Sequence, residues 1–264
     1  MCTMVDRDKE PDIVPDKLVT SIDYKIIAII VASVLLFQIT ITFVVDDPTI
    51  IVYVPSMAIP LSVAILSFIT ARKYSKTLVY SKAFIALGIG FMGLFFGEFT
   101  YLIYEQFLEQ DPYPSIADVF FYLLYVMTIL YLVLNIRFFA IKVGVIDKLL
   151  IGIVPVSITV TYIIFSSSWI TESPFDFYYS VAFIGAISTT LGLSIYGVRI
   201  FQKGLMGVSW ILLTVGILLF TIGDSWYYYL ELFEGYDLTH PVLSLWYLGY
   251  LLIMYSLFHH RKTL

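Results

Sequence analysis

Eight separate apolar runs, each close to the roughly 20 residues that cross a bilayer as a helix, leave this chain little else to fold into. They lie near 25–45, 50–71, 83–104, 116–136, 149–168, 178–198, 205–230 and 242–258. Backbone in hydrocarbon must satisfy every N–H and C=O internally, so runs of this length become helices. With 60% hydrophobic and 13% charged residues among 264, the chain reads as one all-α polytopic membrane domain. Pro60 and Pro155 fall inside the second and fifth spans, where a kink is expected.

The basic residues give the topology. Arg7, Lys9, Lys17 and Lys25 precede or open the first span, and Arg72, Lys73, Lys76 and Lys82 separate the second from the third. Arg137, Lys142 and Lys148 separate the fourth from the fifth, Arg199 and Lys203 follow the sixth, and Arg261 and Lys262 follow the eighth. With eight spans all of them fall on one side, which the positive-inside rule makes cytoplasmic, with both termini inside. The expected location is the cell membrane. The expected divisions are an N-terminal tail (1–24), a first four-helix unit (25–140), a linker (141–147), a second unit (148–260) and a short tail (261–264).

On the opposite side stand Asp46, Asp47, Glu105, Glu109, Asp111, Glu172, Asp176, Glu231, Glu234 and Asp237, with His240 as the one base. These are either solvated loop carboxylates or a vestibule that draws cations. The net charge of -5 gives no reason to expect nucleic acid, and the basic inner loops serve topology. Cys2 is the single cysteine, so no internal disulfide can form and no thiol-ligated metal is suggested. The long polar tail before Lys25 argues against a cleaved signal peptide, and the first span reads as a retained anchor.

The third and seventh spans align without gaps at an offset of 126. Ile85, Leu87, Gly90, Gly97, Tyr101, Glu105, Phe107 and Asp111 face Ile211, Leu213, Gly216, Gly223, Tyr227, Glu231, Phe233 and Asp237, while Glu98 faces Asp224. Beyond the external loop an offset of 125 pairs Tyr122, Leu123 and Tyr125 with Tyr247, Leu248 and Tyr250. The expected architecture is therefore two parallel four-helix repeats related by an axis along the membrane normal.

Glu98 and Glu105 are seven apart, as are Asp224 and Glu231, so each pair lies near one helix face. Glu98 and Asp224 sit roughly 10 Å deeper than their partners, at 1.5 Å per residue. An acid at such depth costs up to about 2.5–3.5 kcal/mol on insertion scales, so it should face the bundle and find a partner, a proton or a cation. A satisfied helix contact is the competing reading. Tyrosines crowd the same half: Tyr101, Tyr104, Tyr122, Tyr125, Tyr227, Tyr228, Tyr229, Tyr247 and Tyr250 fit an interface belt or an aromatic pocket. Trp169, Trp226 and Trp246 fit the belt.

"DPYPSIADVFFYLLY" (111–125) places Ser115 as a helix N-cap and Asp118 as the acidic half of a capping box. Thr239 is the expected cap of the eighth span, with Pro241 in its first turn. Glu98, Tyr101, Glu105, Asp118, Asp224, Tyr227 and Glu231 are the candidate ligand- or ion-binding residues. No metal site is expected: His240 reads as a solvated loop residue, and His259 and His260 as part of a cytoplasmic tail. There is no phosphate-binding glycine loop, HExxH, G-x-S-x-G or paired Cys and His, and no lysine inside a span for a retinal Schiff base. Neither an enzyme nor a cofactor is expected.

The Gly-acid pair at 97–98, the aromatic run after it and "PYPSIADVFFYLLY", with a weaker echo at 223–250, resemble the polytopic sensor regions that precede bacterial diguanylate cyclases and membrane histidine kinases. In that family the membrane part senses and a cytoplasmic domain responds. No GGDEF or kinase segment stands before "HHRKTL" here, so the resemblance implies a sensor module that signals through a cytoplasmic output protein. The expectation is a sensor or receptor-like module binding a small ligand or cation in the outer half. The alternative is a proton- or cation-coupled transporter or channel using Glu98 and Asp224, and a lipid-modifying enzyme ranks third. The bilayer, an output protein and, as an open option, a second copy of the chain are the partners in view.

Overall fold

The computed structural model describes residues 22–77, 79–110, 112–113, 115–139, 144–233 and 235–263. Cys2, Arg7, Lys9, Lys17, Asp111, Pro114, Lys142 and Glu234, most of the 1–24 tail and part of the 141–147 linker lie outside the described residues. The helices are α1 (Tyr24–Phe43), α2 (Thr49–Lys73), α3 (Tyr80–Gln106), α4 (Ile116–Phe139), α5 (Val145–Ser166), α6 (Trp169–Glu172), α7 (Pro174–Phe201), α8 (Gly207–Phe233) and α9 (Val242–Thr263). Among the described residues there is no strand. All except the four-residue α6 are long and apolar enough to cross a membrane, which gives a multi-pass membrane protein of eight spans. The helices extend a few residues past most of the apolar runs, because Tyr, Ser and charged ends continue the turn into the interface.

Charge and helix polarity agree. Arg72 and Lys73, Arg137, Arg199, and His260 with Arg261 and Lys262 occupy the last turns of α2, α4, α7 and α9, where cations complement the helix dipole. The last turns of α1, α3, α5 and α8 carry no base. The start of α1 and the end of α2 both meet the last turns of α9 at the basic end of the bundle. Asp23 N–H donates to the Tyr255 hydroxyl at 3.0 Å, and Lys73 Nζ to the Arg261 carbonyl at 3.0 Å.

α3 packs between α2 and α4, α8 between α7 and α9, and α5 lies on α7. The first four spans meet the last four where α4 packs on α7 and where α2 and α1 pack on α9. α1 and α5 are peripheral, with only 11% of each apolar window buried against 61% in α7, α8 and α9. Gln38 holds α1 in place: its Nε2 donates to the Thr239 carbonyl at 2.6 Å, and its Oε1 accepts from Ser244 Oγ at 2.8 Å. These two bonds tether α1 to the start of α9.

Several local expectations meet the structure directly. Ser115 N–H donates to Asp118 Oδ2 at 2.7 Å and Ala117 N–H to Ser115 Oγ at 3.2 Å, the two halves of the capping box. Ser115→Ala should therefore lower stability by about 1 kcal/mol, read as a small downward shift in thermal unfolding. An unchanged melting curve would mean that packing alone starts α4. At α9 the cap differs from expectation. His240 Nδ1 accepts from Val242 N–H at 3.2 Å, while Thr239 bonds back to Asp237 and Pro241 precedes the helix. His259 and His260 are not in a tail: α9 runs on to Thr263 and both are 4% exposed. His259 Nδ1 pairs with Ser209 Oγ at 3.0 Å, and the His260 ring stands edge-on to Phe84 at 4.9 Å.

Candidate functional site

The third and fourth spans of each half approach closely through glycine. A Cβ on Gly90 would lie 3.1 Å from the Leu124 carbonyl oxygen, and one on Gly216 would lie 2.9 Å from that of Gly249. About two turns further on, a Cβ on Gly97 would fall 2.5 Å from the Phe121 ring, and one on Gly223 would fall 2.9 Å from Trp246 Nε1. Small residues at these four points let α3 press on α4 and α8 on α9. The side chains that follow, Glu98 and Asp224, are thereby turned toward the middle of the bundle.

Between them lies a cavity of about 370 Å³, within the size range of small-molecule pockets. Glu98, Tyr101 and Glu105 from α3, and Asp224, Tyr227 and Glu231 from α8, all line it. Asp118, the seventh candidate, does not. Its carboxyl is 8% exposed and taken up by the α4 cap, with Tyr179 as its neighbour.

Residues that carry no signal of their own in the sequence complete the wall. Tyr53 and Ser56 come from α2 and Phe183 from α7, while Tyr113 and Tyr236 come from the two loops at the end away from the start of α1 and the end of α9. Glu231 and Gly235 are exposed there, so the cavity reaches the surface at that end. Among the described lining residues there are four carboxylates and no Lys, Arg or His.

Asp224 is bonded on both oxygens. The Tyr125 hydroxyl donates to Oδ2, and Trp246 Nε1 donates to Oδ1 at 2.8 Å. Glu105 lies within hydrogen-bonding reach of Tyr53, and Glu231 of Tyr227. Tyr247 is fixed by Ser56 and by the Val52 carbonyl, each at 2.8 Å. Rings knit these groups together: Tyr101 stands edge-on to Phe121 at 5.1 Å, Tyr227 to Trp246 at 5.4 Å, and Tyr227 to Tyr236 at 5.1 Å. Of the loop tyrosines, Tyr236 holds its hydroxyl proton well above the usual range, chiefly through burial and then through the charge of Glu98. Burial, with a bond to Asp176, does the same at Tyr113.

The belt and pocket readings of the aromatics both apply, to different residues. Tyr229 and Trp226 are 37% and 42% exposed, as belt residues are. Tyr101, Tyr125, Tyr227, Tyr228, Tyr247, Tyr250 and Trp246 face the cavity. Trp246 is a correction to the belt reading, since its N–H is spent on Asp224.

Chemically the site can hold a proton, a cation or a polar molecule with an apolar body. Among the described residues no three of His, Cys, Asp and Glu converge as metal ligands would. Compared with known proteins, the chain matches no family model, no curated protein and no solved structure.

Proposed function

We propose that this protein is an integral membrane sensor or receptor-like module, binding a small ligand or cation in the outer half of its bundle and signalling through a partner at the cytoplasmic end. The observation that carries the reading is the carboxylate- and tyrosine-lined cavity of about 370 Å³ at the end away from the basic helix ends. The one-sided charge of the helix ends supports placing that end outside the cell.

An origin by duplication of a four-span unit is part of the proposal. The offsets of 126 and 125 that relate the halves also carry the Gly90–Leu124 contact onto Gly216–Gly249, and Gly97–Phe121 onto Gly223–Trp246. The interface of α4 on α7 has its counterpart in α9 on α2. Tyr101 is within hydrogen-bonding reach of its own counterpart Tyr227, as expected on either side of a twofold axis. The cavity then lies on that axis, where a ligand touches both halves and can change how they pack.

Toward the basic end the core closes. Phe84, Leu87, Leu132, Ile217 and Leu257 are among its most deeply buried side chains, and the void beside His260 holds about 10 Å³, near the minimum for one water. A pocket closed at one end argues against an open channel. In proteoliposomes the protein should pass neither protons nor monovalent cations above the protein-free background. Cation or proton flux abolished by Glu98→Gln would replace this reading with the transporter.

A further inference from the structure

The two deep acids are equivalent in sequence but not in their bonding. The shift that lays Asp224 over Glu98 lays Tyr125 over Tyr250 and Trp246 over Phe121. Trp246 gives Asp224 an indole N–H, whereas Phe121 has none to give, and among the described residues the Glu98 carboxyl has no hydrogen-bond partner. Its charged neighbour is another acid, Glu105. Tyr53, Tyr236, Tyr247 and Tyr250 all lie within electrostatic reach of it, and the Tyr101 ring stands beside Phe121.

A half-buried carboxylate without a protein donor is left to water, a proton or a positive charge for its stabilisation, and its place on a carboxylate-lined cavity favours the last. Aromatic faces attract that same charge. The cavity far exceeds the volume of a bare metal ion and offers no converging set of ligands for one.

We propose that the cavity binds an organic ammonium ion, an amine or quaternary ammonium compound with an apolar body, its charged head at Glu98 and its body among the rings toward Tyr227 and Trp246. This rests on the reading of the cavity as a ligand site and names the ligand class. In that arrangement Asp224 is the braced half of the pair, joining α8 to α4 and α9, and Glu98 is the half left open for the ligand. Exchange of an indole for a phenyl ring at one of two equivalent positions would thus have converted a structural acid into a recognition acid.

The test is equilibrium binding to the detergent-purified full chain, read by thermal shift and tryptophan fluorescence. The probes are tetramethylammonium, benzyltrimethylammonium and phenethylamine, beside phenethyl alcohol and phenylacetate. The ammonium probes should bind saturably and raise the unfolding temperature, and the alcohol and carboxylate should not. Glu98→Gln should weaken ammonium binding by about 30-fold, as removal of one member of a desolvated charge pair does. Phe121→Trp, which offers Glu98 the N–H that Trp246 offers Asp224, should weaken it as well without lowering the melting temperature of the unliganded protein.

Phenethyl alcohol binding as tightly as phenethylamine would overturn the ammonium assignment and leave the ligand-site reading standing. Unchanged ammonium affinity in both variants would overturn the role of Glu98. If no probe of any charge shifts the protein, both the assignment and the ligand-site reading fail.

Discussion

Asp224→Ala should destabilise the protein by about 2–4 kcal/mol, and Glu98→Gln should leave stability within about 0.5 kcal/mol of the parent or raise it. The difference comes from what each acid holds. Removing the Asp224 carboxylate strands the Tyr125 hydroxyl on α4 and the Trp246 N–H on α9, both in the middle of the bundle. A buried donor without its acceptor costs about 1–3 kcal/mol. Glu98 strands no donor when its charge is removed, and an amide is easier to keep at that depth than a carboxylate. Asp224→Asn should fall between, since the amide oxygen can still accept from one of the two donors. Reversible unfolding in mixed micelles measures all three. Equal losses in Asp224→Ala and Glu98→Gln would mean that the bonds to Tyr125 and Trp246 contribute nothing.

Gly216→Val should also cost about 2–3 kcal/mol, because overpacking displaces backbone as well as side chains. Its Cβ would fall 2.9 Å from the Gly249 carbonyl oxygen and 2.7 Å from Ile253 Cγ1, and the backbone oxygen has no rotamer by which to move aside. α8 and α9 must then separate, which pulls Trp246 from Asp224 and opens the cavity wall. Gly90→Val should repeat the effect more mildly, with its nearest atoms at 3.1 Å. Gly152 on α5 has no such neighbour within 4 Å, so Gly152→Ala should be neutral or stabilising by up to about 1 kcal/mol. If Gly152→Ala and Gly216→Val melt together, close packing of α8 on α9 is not what limits stability.

The spans and the charge pattern were legible because hydropathy and topology act on single segments. The α4 cap was legible because Ser115 and Asp118 are three residues apart and act on their own helix. Six of the seven candidate residues meet in one cavity because the acid spacing and the preceding glycines fix which helix face turns inward. What remained hidden depends on contacts between distant spans. Nothing near Tyr53 or Phe183 in sequence says that α2 and α7 wall the site. The partners of Gln38 stand 201 and 206 residues away, so no local pattern announces its tether. Trp246 looked like a belt residue because only α8, packed against it, reveals its acceptor. Arg261 and Lys262 suggested an end to the last span before His259, yet the helix carries both histidines into the core first.

The most direct test of the central claim, that the cavity is a ligand site entered from the face opposite the basic helix ends, is side-specific thiol labelling. Glu105→Cys at the cavity wall, with Cys2 replaced by serine, would be exposed on whole cells to membrane-impermeant methanethiosulfonates of opposite charge. The account predicts fast modification by the trimethylammonium reagent, slow modification by the sulfonate, and protection by benzyltrimethylammonium. No modification from outside, or equal rates for the two reagents with no protection, would contradict it.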